Sequence, residues 1–172
     1  MKININEITV EKLNINDLDY YIDFEKQVKD NMNHSEWLGN FDKMVYEDLL
    51  NNGSMIYIWI YKDELIASGM LIPARQKDLD KFFSSDLDYK EVIDFGPEMV
   101  NPKYIGNGLQ NIVINYLEKI SKELNYKYAI TTIHPENIYS INNFLKNNFK
   151  ELGMVALKRG NRNVYRKRLI EN

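Results

Sequence analysis

The sequence predicts a mixed α/β domain with the element order β-α-α-β-β-β-α-β-α-β-β. Three observations carry this reading. Strand-like alternation and helix-like spacing replace one another repeatedly along the chain. Residues 54–62, SMIYIWIYK, are apolar on both faces, as expected of a strand covered on both sides. The chain has 172 residues, 44% of them hydrophobic and 27% charged, with no linker, repeat or low-complexity break, which suits one domain spanning 1–172.

Taken in order, residues 6–13 (NEITVEKL) alternate and read as the first strand. Asn16 or Asp17 can cap a helix carrying Leu18, Tyr21, Ile22 and Val28. A second helix is expected over 41–50, with Phe41, Met44, Val45 and Leu49 inward, stopped by Asn51-Asn52-Gly53. In 54–62, Ile56, Ile58 and Ile60 face one side, and Met55, Tyr57, Trp59 and Tyr61 the other. Lys62-Asp63-Glu64 reads as a tight turn into the return strand LIASGMLIPA. The charged stretch 75–90 is a surface excursion with a short helix near Leu79–Phe83. Residues 91–100 (EVIDFGPEMV) read as a central strand in conflict with itself, because Pro97 cannot donate to a ladder; a bulge or splayed strand is expected there. Leu109, Ile112, Val113, Leu117, Ile120 and Leu124 predict a long amphipathic helix over 107–125. A strand at 127–133, a helix from Asn137 to Asn147 with Ile138, Ile141, Phe144 and Leu145 inward, and strands near 149–158 and 162–170 complete the chain.

Composition excludes several classes of function. The net charge is −3, a poor match to general nucleic-acid binding. Cysteine is absent, which removes disulfides, thiolate metal cages and a cysteine nucleophile, and two histidines, His34 and His134, cannot build a multi-histidine metal site. No metal is expected. The N-terminal MKININEITVEKL lacks the roughly 7–15-residue apolar stretch of a signal peptide, and no window approaches the ~18 apolar residues of a membrane span. The expectation is a cytoplasmic protein with no nucleic-acid or membrane partner.

One constellation points to chemistry. A strand runs into Asn101-Pro102-Lys103-Tyr104-Ile105-Gly106-Asn107-Gly108 and then into the long helix. A glycine-bearing turn at a helix N-terminus presents free N–H groups and the positive end of the dipole, suited to phosphate oxygens. It is neither a P-loop nor a dinucleotide fingerprint, because it lacks the G-K-[ST] ending and a third glycine. A plain strand-to-helix turn is the alternative.

Lys103-Tyr104-Ile105-Gly106-Asn107-Gly108 resembles motif A of the GNAT acetyltransferase superfamily, [RQ]-x-x-G-x-[GA], and Val100-Asn101-Pro102 before it resembles the family's V-x-P. Downstream, Asn137, Ser140, Lys146 and Phe149 fall at the spacings of the family's strand, Asn and K-x-G-F helix; the T-x-H-P-x-N-x-x-S pattern is similar to a Firmicutes branch. The resemblance covers about residues 54–159. It implies the GNAT acyl-CoA N-acyltransferase fold: a mixed sheet of about seven strands, splayed between the fourth (91–100) and fifth (127–133), with about four flanking helices. It also implies an N-acetyltransferase (transferase, acyltransferase) that uses acetyl-CoA as co-substrate and moves its acetyl group to a primary amine of a small molecule or peptide. A non-catalytic acyl-CoA-binding sensor is the alternative, and a homodimer is possible. By the same resemblance, the amides of Ile105, Gly106, Asn107, Gly108 and Leu109 hold the pyrophosphate, with Lys103 replacing the usual Arg or Gln. Met99 and Val100 pair with pantetheine, and Asn137 and Ser140 lie along the pantetheine and cysteamine region.

Acetyl transfer to an amine needs a base, an oxyanion donor and, where available, an acid for the thiolate. Asp94 and Glu98 share parity on one strand and so are expected on one face; either is a candidate base, or an attractant for a cationic substrate. His134 is a third candidate, with a structural hydrogen bond at a strand end as the plainer reading. The family's usual acid is a Tyr where this chain has Phe144; Tyr139, on the same helix, is the substitute. In the basic run LKRGNRNVYRKRL, Arg162 is the best candidate for a contact, and charge protection of an edge strand is the ordinary reading. Trp37 and His34 are expected on one wall of the acceptor pocket.

Overall fold

The structure, a computed structural model, describes residues 1–170. Strands β1 (Ile8–Lys12), β2 (Met55–Tyr61) and β3 (Glu64–Pro73) form an antiparallel meander. Lys62 and Asp63 connect β2 to β3 with φ of 49° and 63°, the left-handed pair that a two-residue hairpin requires. The expected 91–100 strand is two pieces, β4 (Val92–Phe95) and β5 (Met99–Val100). Then come β6 (Tyr128–Ile133), β7 (Lys150–Leu157) and β8 (Gly160–Arg168). The sheet order is β1-β2-β3-β4-β6-β8-β7, with β5 paired to β3, so there are eight strands rather than about seven. Only β4 and β6 run parallel among these pairs.

Helices α1 (Leu18–Asp30) and α2 (Lys43–Asn51) cover one face, packing Leu18, Tyr21, Phe24, Val28 and Tyr46 on Ile56, Ile58, Met70 and Met99. Helices α4 (Leu109–Glu123) and α5 (Ile138–Lys146) cover the other, with Leu109, Val113, Ile114, Leu117 and Phe144 against Tyr57, Trp59, Ala67, Leu71 and Phe95. The alternation read in 54–62 is therefore the true division between the two layers. The short α3 (Gln76–Lys81) closes one end of the sheet through Leu79. Helix α4 rides directly on β3: a Cβ at Gly69 would lie 2.6 Å from Val113 Cγ1, so only glycine permits this approach.

Three facing assignments are corrected. On α2, Met44 and Val45 are exposed and Tyr46 is buried, because its ring meets Tyr21 and its hydroxyl donates to the buried carboxylate of Glu25. On α5, Ile138 and Leu145 are exposed; the inward face is Ser140 and Phe144 with Ile141 half-buried beside them, a narrower stripe than the spacing suggested. Leu124 lies past the end of α4 and is exposed.

Candidate functional site

Between β4 and β5, three residues (Gly96, Pro97, Glu98) face two on β3 (Gly69, Met70): Phe95 pairs with Leu71, and Met99 with Ser68. This is a bulge of one residue, the outcome that Pro97 signalled. β4 pairs with β6 only as far as Asp94 and Ile130. The last tie is the Thr131 hydroxyl, which donates to the Phe95 carbonyl at 3.1 Å. Beyond it β5 belongs to β3 alone and β6 to β8 alone, so the sheet opens. The Asn101 N–H donates to Ile66 O on the β3 side; by strand alternation the N–H and C=O of Val100 turn into the opening. Met99 is buried under α1 and by the same alternation its N–H and C=O face β3, so, unlike the expected pantetheine contact, it offers the opening neither side chain nor backbone groups.

The opening is a cleft of about 120 Å³, lined by Trp37, Leu38, Gly39 and Phe41 on the α1–α2 connection, Asp94–Glu98 on the bulged strand, Thr131–His134 on β6, and Gln110, Asn137, Ser140 and Arg159. Asp94, Glu98 and His134 thus meet in one place, as do Asn137 and Ser140. The parity argument for the two carboxylates is superseded: the bulge shifts the alternation, so Met99 shares the face of Asp94, and it is the bulge itself that aims Glu98 into the cleft. Glu98 Oε1 is buried without a hydrogen-bond partner. Burial pushes the Asp94 carboxyl from its ordinary 3.8 up to about 7, with Asp78 adding to the rise and Arg159 and Arg75 opposing it. Burial also holds Glu98 well above the usual carboxylate range; its own N–H opposes and the charge of Asp94 adds. Two carboxyl groups in one desolvated cleft thus disfavour each other's ionisation.

His134 Nδ1 accepts from the Glu136 N–H at 3.2 Å, which leaves the proton of the neutral ring on Nε2. Its ring follows Trp37 and His34 in a stack, with centroids 6.0 and 4.5 Å apart in turn. His134 thus makes the strand-end hydrogen bond of the plainer reading while its ring lines the cleft. Asn137 caps α5, its Oδ1 accepting from the Ser140 N–H, and the Ser140 hydroxyl accepts from Gln110 Nε2 at 2.9 Å.

At the other end of the opening, Gly106 and Gly108 have φ of 88° and 72°, and a Cβ at either would meet nothing within 4 Å. Gly108 caps α4, whose first internal bond is Ile112 N–H to Gly108 O. Among the described residues the N–H groups of Gly106, Asn107, Gly108 and Leu109 find no acceptor, whereas Ile105 already donates to Pro102 O. Orphan donors on an open, left-handed turn at the N-terminus of a 15-residue helix form an arrangement suited to phosphate oxygens. Lys103 differs from expectation: its ammonium lies 2.8 Å from Glu64, which also accepts from the Tyr104 hydroxyl, so its charge is spent on the β2–β3 turn. The Asn107 side chain bonds Met1 O, Tyr104 O and the Ile3 N–H, leaving only its backbone toward the cradle.

Tyr139 is 82% exposed and does not line the cleft. Phe144 is fully buried, edge-on to Phe149 at 4.9 Å. Arg162 is also fully buried; it donates to the carbonyls of Glu36 and Asn161 and ties the β7–β8 hairpin to the segment bearing Trp37. The cleft residue of the basic run is instead Arg159, in the hairpin turn. Its place depends on where the hairpin folds over β6, which local spacing does not reveal. Among the described residues no cluster of three or more His, Cys, Asp or Glu could hold a metal ion, and no helix is long and apolar enough to cross a membrane.

No protein-family model matches the chain, and no curated protein sequence matches it. Solved structures do. An N-acetyltransferase from Staphylococcus aureus Mu50 superposes with a TM-score of 0.74 at 16% identity, over 95% of this chain and 99% of that one. The yncA protein of Salmonella typhimurium, solved with its cofactor acetyl-CoA, gives 0.73 at 14% identity over 97% and 96%. The aminoglycoside acetyltransferase AAC(6')-Ib, in complex with coenzyme A, gives 0.70 at 17% identity over 94% of each chain. The chain has the fold of the GNAT superfamily of N-acetyltransferases.

Proposed function

We propose that this protein is an acetyl-CoA-dependent N-acetyltransferase that moves an acetyl group directly to a primary amine of a small molecule or peptide. The parted strands carry this reading, with a cradle of orphan amides at one end and two desolvated carboxyl groups at the other. When bound, acetyl-CoA supplies an acyl group already activated as a thioester. The amides of Gly106, Asn107, Gly108 and Leu109 receive its pyrophosphate, Val100 offers N–H and C=O to the amides of its arm, and Asn137 Nδ2 stands beside Ser140 along the same path. Ile105, Met99 and Lys103 shape this path without donating a free group to it.

Asp94 is poised to take the ammonium proton of the acceptor near neutral pH, because its desolvated carboxyl changes charge there. Burial also raises the Glu98 carboxyl, which is the donor the cleft offers in the absence of a tyrosine hydroxyl among the described lining residues. His134, with its proton on Nε2, stands at the rim as an alternative carrier. Isothermal titration with acetyl-CoA and CoA, followed by thiol release against a panel of amines, tests the proposal. Binding plus turnover is expected, and absence of binding at millimolar concentration overturns it. One observation favours a second reading, a non-catalytic acyl-CoA sensor: no tyrosine lines the cleft. Binding without turnover across the panel selects the sensor, and a Glu98→Gln change that slows turnover while leaving binding intact selects the enzyme.

A further inference from the structure

The cleft brings a guanidinium, Arg159, together with two desolvated carboxyl groups, Asp94 and Glu98, and within the field of Asp94, without a direct ion pair among the described residues. Arg159 projects from the β7–β8 turn into the wall opposite the bulged strand, and its guanidinium makes one hydrogen bond, to Thr132 Oγ1 at 3.1 Å. Among the described residues it makes no ion pair, although Asp94 and Glu98 line the same cleft. Most of the guanidinium fork is therefore open. Gly39 makes room for it: a Cβ there would lie 3.1 Å from Arg159 Nη1. Arg162, further along the same hairpin, is by contrast fully buried, with Nη1 and Nη2 donating to the carbonyls of Asn161 and Glu36, and holds the wall in place, so the two arginines have separate tasks. An arginine fork matches a carboxylate with two parallel hydrogen bonds. The cleft measures about 120 Å³, well below the roughly 300 Å³ at which drug-sized sites begin, which favours a small acceptor.

We propose that the acceptor is a small zwitterion of the amino-acid kind, with its carboxylate held by Arg159 and its amine delivered to Asp94 and Glu98. The inference rests on the acetyltransferase reading for the fate of the amine, but the binding it asserts does not. A guanidinium at one end and a pair of proton-exchanging carboxyl groups at the other set the orientation of such a molecule, which a neutral or purely cationic amine would lack.

The test compares the common α-amino acids with their amides and their decarboxylated amines. Binding is read by ligand-observed NMR on the full chain with CoA present, and acetylation by thiol release. The free acids are expected to bind and to exceed their amides in kcat/KM by about 10- to 100-fold, the range of a charge-assisted contact. In Arg159→Ala that preference should collapse, chiefly through KM. Arg159→Lys should retain part of it, and Arg159→Glu should reverse it toward diamines. The proposal is overturned if no free acid binds, if amides and decarboxylated amines bind as well as the acids, or if Arg159→Ala keeps the preference. Acetyl-CoA binding with loss of acid preference removes this proposal alone. Preferential binding of the acids without acetyl transfer removes the enzymatic reading and leaves the zwitterion site standing.

Discussion

Replacing Asp94 with asparagine should make the protein more stable above neutral pH while it lowers turnover. In the folded chain the Asp94 carboxyl titrates at about 7, against 3.8 ordinarily, so between those values the native state keeps a proton that the unfolded chain has lost. Stability contributed by that proton is full below the unfolded value and falls as pH rises through the folded one. At roughly 1.4 kcal/mol per unit, the displacement of about three units amounts to about 4 kcal/mol by pH ~8. Because Asp94 shares its cleft with Glu98 and feels Arg159 and Arg75, a gain of about 1–3 kcal/mol in Asp94→Asn is the realistic expectation. Urea unfolding at pH 4, 6 and 8 reads this directly: with a slope of about 1–3 kcal/mol per molar, the midpoint should move up by ~1 M at pH 8 and hardly at pH 4. If Asp94→Asn left the pH profile of the parent unchanged, or were less stable than the parent at pH 8, the placement of a desolvated, unpaired Asp94 in the cleft would be refuted.

Other outcomes follow from the same geometry. Gly108→Trp should abolish CoA binding by calorimetry with the far-UV spectrum unchanged, because the side chain enters open space above the cradle. Phe144→Ala removes a fully buried ring from between Phe149 and the sheet and should cost about 3–5 kcal/mol in denaturant unfolding. His134→Ala should slow acetyl transfer less than Glu98→Gln if the carboxyl groups carry the proton; the reverse order, measured as kcat at saturating acetyl-CoA, would move the base to the histidine.

Much of the fold was legible because the hydrophobic periods are strong where both faces of a strand are covered, as in 54–62, or where a helix is long, as in 109–123. The glycine turn and the defect at Pro97 were legible because glycine and proline restrict the backbone in ways independent of context. Tertiary partners decided the remainder. Nothing near Tyr46 announces that Glu25, far back in the chain, takes its hydroxyl, and nothing near Lys103 announces that Glu64 takes its charge. Arg159 and Arg162 are equivalent in composition, yet one lies in a turn over the cleft and the other inside a strand pairing.

The single surplus residue between β4 and β5 lies where the sheet opens. Deleting one residue from Gly96–Glu98 would let the strand resume its register on β3 and continue beside β6, with Glu98 lost from the cleft. The proposed binding site is in that sense one residue deep. Shortening this segment by one residue should therefore yield a protein that folds and binds nothing.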